Sequence, residues 1–113
     1  ILDTGLHATS HTDAPVALPN LMQVVWATVN RTSRSGAVIG ANERVTALEA
    51  MKMITLWGAE QFGEQASKGS LEPGKLADMV VLSDNPITID PMKINTIKVL
   101  QTIKEGKTVY TRK

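Results

Sequence analysis

Apolar residues alternate with small or polar ones near the start of the chain and then change to a helical spacing. Residues 6–13, which read LHATSHTD, fit a short strand that ends at the Pro15 turn. Apolar residues then recur at spacings of one, three and four over residues 21–29, namely Leu21, Met22, Val25, Trp26 and Val29. The pattern predicts a strand followed by an amphipathic helix that begins just after Pro19.

A polar stretch and a second helix follow. Residues 34–44 are too polar and too rich in glycine for a regular element, so we expect a surface loop. Thr46 stands three residues before Glu49, the spacing of a capping box, in which each side chain binds a backbone N–H at the start of a helix. We therefore predict a helix over residues 47–59.

The remaining residues predict turns and strands. Pro73-Gly74 suits a type II turn, since proline fixes the first φ and glycine accepts the positive second one. Residues 78–82 form a short apolar run typical of a buried strand. Residues 97–103 and 108–110 flank Glu105-Gly106, which predicts a terminal β-hairpin.

Two architectures are predicted to meet near Lys68. The first contains one strand and two helices, and the second contains three strands. A single strand cannot satisfy its backbone hydrogen bonds without neighbouring strands. The first half is therefore expected to be a piece of a larger fold.

Composition restricts the partners of the chain. Of 113 residues, 42% are hydrophobic and 20% are charged, as in ordinary globular proteins. Twelve Lys and Arg against eleven Asp and Glu give a net charge of +1, so we expect neither a nucleic-acid nor a membrane partner. No apolar stretch approaches the roughly 20 residues of a membrane helix.

Cysteine is absent, which excludes disulfides, thiolate metal sites and a cysteine nucleophile. This favours a reducing cytoplasm without identifying the compartment. Because the first residue is Ile1, we expect the chain to begin inside a longer protein, and a targeting segment could precede it.

Two motifs carry a resemblance to a known family: HTDAPV at residues 11–16 and GSLEPGKLADMVVLSDNP at residues 69–86. Together they resemble the amidohydrolase superfamily, and within it the third amidohydrolase family, which includes N-substituted formamide deformylases. The resemblance implies an α/β fold in which a metal-dependent (β/α)8 TIM barrel is joined to a small composite β-sandwich. Residues 1–67 would be the end of the barrel, and residues 68–113 the C-terminal part of the sandwich.

The resemblance also implies a site. Asp13 would lie at the end of the last barrel strand, where barrel enzymes place their chemistry, and would serve as metal ligand and general base. The implied cofactor is a divalent metal, zinc by expectation, as one or two ions, with most ligands in the missing N-terminal part of the same protein. The implied substrate is a small amide-like molecule.

Each candidate residue also has a plainer interpretation. Asp13 before Ala14-Pro15 is also typical of a turn aspartate that binds nearby backbone N–H groups. His11 lies about 6.6 Å along the strand from Asp13 and on the same face, so it either contacts substrate or serves the structure. His7 would be roughly 13 Å from His11 on a strand, too far to share a metal, and is expected to pack or hydrogen-bond.

Other polar residues are assigned to the fold. Arg31, at the end of the first helix, is expected to interact with the exposed carbonyls there. Lys75 and Asp78 lie beside the predicted turn and read as part of a fold signature rather than a site.

Three functions remain in competition. The first is a metal-dependent hydrolase of non-peptide C–N bonds, of which this chain alone would be inactive. The second is a non-catalytic binding or regulatory homologue with a decayed metal site. The third is an autonomous interaction domain, such as a homodimer that completes the open sheet. The sequence upstream and a metal analysis of the complete protein would distinguish the first two.

Overall fold

The computed structural model describes residues 2–113 and contains three α-helices and three β-strands. The helices are α1 (Leu21–Asn30), α2 (Ala47–Met53) and α3 (Leu56–Gln61). The strands are β1 (Met79–Leu82), β2 (Val99–Lys104) and β3 (Lys107–Thr111). Short 3-10 helices occupy Leu2–Thr4, Ala41–Glu43 and Pro91–Thr96. No helix within residues 2–113 combines the length and apolar character needed to cross a bilayer.

The predicted strand at residues 6–13 is wrong for this chain. Residues 6–12 form no β-ladder, and a turn begins at Asp13. Among described residues, the backbone bond that reaches this segment from elsewhere runs from the Ser10 N–H to the Met53 carbonyl, at 3.3 Å. A ladder requires a second strand alongside, and the described residues provide none. The (β/α)8 barrel therefore stays a prediction.

Helix α1 confirms the apolar stripe predicted over residues 21–29. Asn20 caps its start, where the side-chain oxygen accepts a hydrogen bond from the Gln23 N–H at 3.3 Å. At the other end, Arg31 adopts a left-handed conformation and its N–H donates to the Ala27 carbonyl. The inward face buries Met22, Val25 and Val29.

The second predicted helix is present but interrupted. The capping box is confirmed, because Thr46 Oγ1 accepts from the Glu49 N–H while Glu49 Oε2 accepts from the Thr46 N–H at 2.7 Å. A continuous helix over residues 47–59 is wrong, since the helix breaks at Ile54-Thr55. Two adjacent β-branched residues disfavour helix, and the Thr55 hydroxyl donates to the Met51 carbonyl at 2.7 Å.

The core joins α1 and α2 to the 3-10 helix at Pro91–Thr96. Its buried members are Met22, Val25, Val29, Ala50, Ile94 and Ile97. Ile94 and Val25 are completely buried. Polar contacts reinforce this packing: Trp26 Nε1 donates to the Met92 carbonyl at 3.1 Å, and Asn30 Nδ2 donates to the Pro91 carbonyl at 2.9 Å. Residues from both ends of the chain thus share one core, and the division into residues 1–67 and 68–113 stays a prediction.

The three strands form one antiparallel sheet in the order β1-β2-β3. The terminal hairpin is confirmed, and its two-residue loop has positive φ at both Glu105 (49°) and Gly106 (77°), as a type I′ turn requires. Val80 and Val81 are 50% and 41% exposed, so the expectation of a buried β1 is wrong within the described residues. Val80 and Val81 point to opposite faces of the strand, so within the described residues neither face of β1 is closely covered.

The turn-rich motif at residues 69–86 contacts the loop of the β2–β3 hairpin. Asp78 Oδ1 accepts from the Glu105 N–H at 2.8 Å, and the Ala77 carbonyl accepts from the Gly106 N–H at 3.1 Å. The predicted turn at Pro73-Gly74 is present, with a positive φ at Gly74. Lys75 pairs with Glu72 at 2.7 Å, which lowers the Glu72 carboxyl pKa. Asp78 and Lys75 therefore serve the fold, as expected.

Gly69 is required where the chain crosses α3. A Cβ at this residue would lie 2.7 Å from the Ala59 Cβ and 3.0 Å from the Leu56 Cα, and its φ is +93°. We predict that Gly69→Ala lowers the free energy of unfolding by about 2 kcal/mol or more, because strain and overpacking add. The control is Gly63→Ala, which has a similar φ of +72° but open space around the Cβ. Equal losses in chemical denaturation would contradict the crowding argument.

The capping box also predicts a pH dependence. Hydrogen bonds from the Thr46 hydroxyl and backbone N–H hold the Glu49 pKa below its ordinary value of 4.5. Since the folded pKa is depressed, the stabilisation is present above pH 4.5 and is lost as the pH falls through the folded value. Thr46→Ala should remove about 1 kcal/mol at neutral pH and flatten this acid dependence.

Thr46→Ser keeps the hydroxyl and serves as the control. Denaturation curves between pH 7 and about 3 measure both variants. An acid dependence that is unchanged in Thr46→Ala would show that Glu49 does not act through the cap.

Candidate functional site

Asp13 lies at an exposed turn ahead of α1. Its φ is 50°, its carbonyl accepts from the Val16 N–H at 2.8 Å, and the Ala14-Pro15 bond that follows is cis. The turn thus uses the backbone of Asp13, whereas its carboxylate accepts no hydrogen bond from any described residue. The interpretation of Asp13 as a residue whose side chain forms the turn is therefore wrong. Both carboxylate oxygens are open to a ligand.

His11 is held against the same turn. The Asp13 N–H donates to His11 Nδ1 at 3.1 Å. A ring whose Nδ1 accepts a hydrogen bond carries its proton on Nε2, so the free side of His11 is a donor. The two residues lie together, but the strand geometry behind that expectation is wrong, because the positive φ at Asp13 ends the alternation of side chains.

His7 is occupied elsewhere. Its Nδ1 lies 2.5 Å from Glu60 Oε2, and its ring stacks on Trp57 with centroids 4.5 Å apart and planes 13° apart. The expectation that His7 packs or hydrogen-bonds is confirmed. The sequence did not indicate Glu60 or Trp57 as its partners, since they are fifty or more residues away in the chain.

The side chains near Asp13 could supply one ligand of a metal site. Across residues 2–113, no three His, Asp or Glu side chains come close enough to hold a metal ion together. A single free carboxylate with no competing hydrogen bond is a suitable ligand for zinc or another divalent ion. The carboxylate of Asp13 has this donor chemistry, and its role as one ligand among several stays a prediction.

Clefts in the described chain lie away from Asp13. One cleft of about 970 Å³ separates α2 and α3 from β1 and β2 and is mainly apolar, with Leu48, Ile54 and Val80 among its walls. Another of about 560 Å³ lies beside Arg31 and Arg44. Asp13 and His11 line neither of them.

Arg31 does not bind the helix end as expected. Its Nε donates to the Ile39 carbonyl at 2.8 Å and thereby fastens the loop after α1. Arg44 supplies the cation instead, with Nε donating to the Asn30 carbonyl at 3.2 Å. The loop that carries Arg44 folds back on the end of α1. The sequence separation between Asn30 and Arg44 does not predict this contact.

The His11 contact predicts how the turn responds to substitution. His11→Ala removes the acceptor, so the Asp13 amide should exchange its hydrogen several-fold faster in NMR measurements. His11→Asn is the matched control, because an asparagine side chain two residues before an N–H can accept the same bond. Equal exchange rates in His11→Ala and the unsubstituted protein would show that the bond does not hold the turn.

Comparison with known proteins places these features in a family. The model of the amidohydrolase family matches residues 1–110. An N-substituted formamide deformylase of Arthrobacter pascens is 31% identical over 112 residues, which are 99% of this chain and 21% of that protein. The putative amidohydrolase YtcJ of Bacillus subtilis is 26% identical over 115 residues, covering 99% of this chain and 22% of that protein.

A solved structure agrees with the sequence comparisons. The crystal structure of an amidohydrolase from Thermotoga maritima superimposes with a TM-score of 0.66 and 27% identity, over 98% of this chain and 24% of that one. The chain therefore spans between a fifth and a quarter of the length of the proteins that it matches. Since the family model matches nearly all of the sequence, the chain belongs to the amidohydrolase family.

Proposed function

We propose that the complete protein is a metal-dependent hydrolase of non-peptide C–N bonds and that Asp13 is a metal ligand and the general base. The observation that carries the proposal is the free carboxylate of Asp13 in a chain of the amidohydrolase family. The relative from Arthrobacter pascens, which aligns over 99% of this chain, supports an amide-like substrate such as an N-substituted formamide.

The remaining parts of the site are proposed to lie in other segments of the complete protein. The described residues contribute the carboxylate of Asp13, which lines neither of the two clefts described above, and the chain spans about a fifth of its relatives. A catalytic zinc takes three protein ligands and keeps an open position. The residues that complete this set, and those that enclose the substrate, would come from the other four fifths.

The chemistry follows from the carboxylate of Asp13. A divalent cation, zinc by expectation and as one or two ions, would supply water acidified to a pKa of roughly 7 and would polarise the substrate carbonyl. One oxygen of Asp13 would hold the cation, and the other would accept a proton from the attacking water. As the new C–O bond forms and the C–N bond breaks, Asp13 would pass that proton to the departing nitrogen. The products are a carboxylic acid and an amine.

His11 is proposed to contact the substrate. Its Nδ1 is committed to the Asp13 N–H, so its Nε2–H is the group left to donate. The carbonyl oxygen of an amide accepts such a bond, and the bond would strengthen as negative charge develops on that oxygen. His11 would thereby orient the carbonyl and stabilise the turn that carries Asp13.

The proposal predicts the effect of Asp13→Asn in the complete protein. Asparagine has a similar shape but cannot accept the proton and binds a cation weakly, so turnover of an N-substituted formamide should fall at least about 100-fold. Bound metal, measured by elemental analysis, should fall as well, while circular dichroism and the melting temperature should change little. Asp3→Asn, the same change in another exposed residue, is the control.

Two outcomes would contradict the proposal. Full turnover and full metal content in Asp13→Asn would show that the carboxylate neither binds metal nor moves a proton. An unsubstituted complete protein that binds no divalent ion would instead favour the non-catalytic homologue with a decayed site.

A further inference from the structure

The extended segment at residues 7–10 is fastened to the helix pair α2–α3 by a series of contacts. His7 Nδ1 lies 2.5 Å from Glu60 Oε2 at its start. Thr9 Oγ1 donates to Gln61 Oε1 at 2.8 Å. The Ser10 N–H donates to the Met53 carbonyl at 3.3 Å. This segment leads directly to the turn of Asp13.

The contact at His7 differs in kind from the other contacts of the segment. It joins a short hydrogen bond to a carboxylate with stacking on Trp57, whose side chain is only 7% exposed. Hydrogen bonds to charged groups are roughly twice as strong as neutral ones. The Thr9–Gln61 bond is neutral and exposed, and the Ser10–Met53 bond is long. Loss of His7 would leave the segment held by the Thr9–Gln61 bond and by Ser10, whose N–H and Oγ both contact Met53.

Little chain separates the docked segment, which ends at Ser10, from Asp13. A change in how the segment docks can therefore shift Asp13. Ser10 is three residues from Asp13, an extended distance of about 10 Å. Within that distance, the His11 ring closes on the Asp13 N–H. A shift of the segment along α3 would therefore reach the turn through three residues of chain.

We propose that His7 is a positioning residue, which acts through its hydrogen bond to Glu60 to set where the Asp13 carboxylate stands. The inference rests on the proposed function, since it concerns the placement of that carboxylate for catalysis. His7 itself touches neither substrate nor metal. Its effect should appear in turnover rather than in substrate affinity. Misplacing a catalytic group raises the activation barrier of the reaction more than it weakens substrate binding.

Two substitutions separate the two contacts of His7. His7→Asn places an N–H donor where Nδ1 lies and so retains the bond to Glu60 while losing the stack on Trp57. His7→Phe retains an aromatic ring on Trp57 and loses the bond. Glu60→Ala removes the bond from the other side and decides the question if His7→Phe fails to fold.

The test is made in the complete protein with an N-substituted formamide as the probe. We expect kcat to fall about tenfold in His7→Phe and Glu60→Ala, the scale found for residues that orient catalytic ligands, while KM stays within about twofold. His7→Asn should restore most of the loss. In the same variants, the amide hydrogen of Ser10 should exchange about tenfold faster in His7→Phe and stay near its original rate in His7→Asn.

Two controls distinguish positioning from general stability. Thr46→Ala destabilises α2 without touching the segment, and Gln61→Ala removes the weaker bond at Thr9. Neither should lower kcat at a temperature well below unfolding. A fall in kcat in Thr46→Ala equal to that in His7→Phe would overturn the inference.

The outcomes also separate this inference from the proposed function. If Asp13→Asn abolishes turnover but His7→Phe and Glu60→Ala keep full kcat and slow Ser10 exchange, the inference is overturned and the function stands. If Asp13→Asn keeps full turnover, the function is overturned and the positioning role falls with it.

Discussion

The attachment of residues 7–10 to helices α2 and α3 is the interaction on which the site depends. Among the described residues this segment has no neighbouring strand, and the backbone bond that reaches it from elsewhere runs from the Ser10 N–H to the Met53 carbonyl. Side chains from α3 and one carbonyl from α2 therefore hold it. The candidate carboxylate stands at the end of a segment whose position is set by its contacts with the helices.

Helices α1 and α2 are fixed by residues far along the chain. Ile94 is buried against α1 and α2, and the Trp26 and Asn30 side chains bond the carbonyls of Met92 and Pro91. Large apolar residues are left uncovered among the described residues, with Phe62 78% exposed and Leu18 83% exposed. Such surface is costly in water, and it accords with a chain that spans about a fifth of its relatives.

Local sequence signals predicted the local structure. The apolar stripe of α1, the Thr46–Glu49 capping box and the Glu105-Gly106 hairpin each depend on residues a few positions apart, and each is confirmed. The helix break at Thr55 was missed because the hydroxyl can favour or oppose helix according to its rotamer. The partners of His7 and Arg44 were missed because tertiary packing alone brings them together.

The prediction of a strand at residues 6–13 was wrong for a different reason. Its residue pattern is typical of a strand with neighbouring strands, and the described residues do not supply them. Asp13 was identified by motif, and its free carboxylate is a fact of the structure that no motif reports.

A zinc-soaked crystal structure of the complete protein is the most direct test of the central claim, with anomalous scattering used to locate the ion. The account predicts an Asp13 carboxylate oxygen about 2.0–2.2 Å from the ion, with the other ligands drawn from outside residues 2–113. An Asp13 side chain turned to bulk solvent, with the ion bound elsewhere, would contradict it.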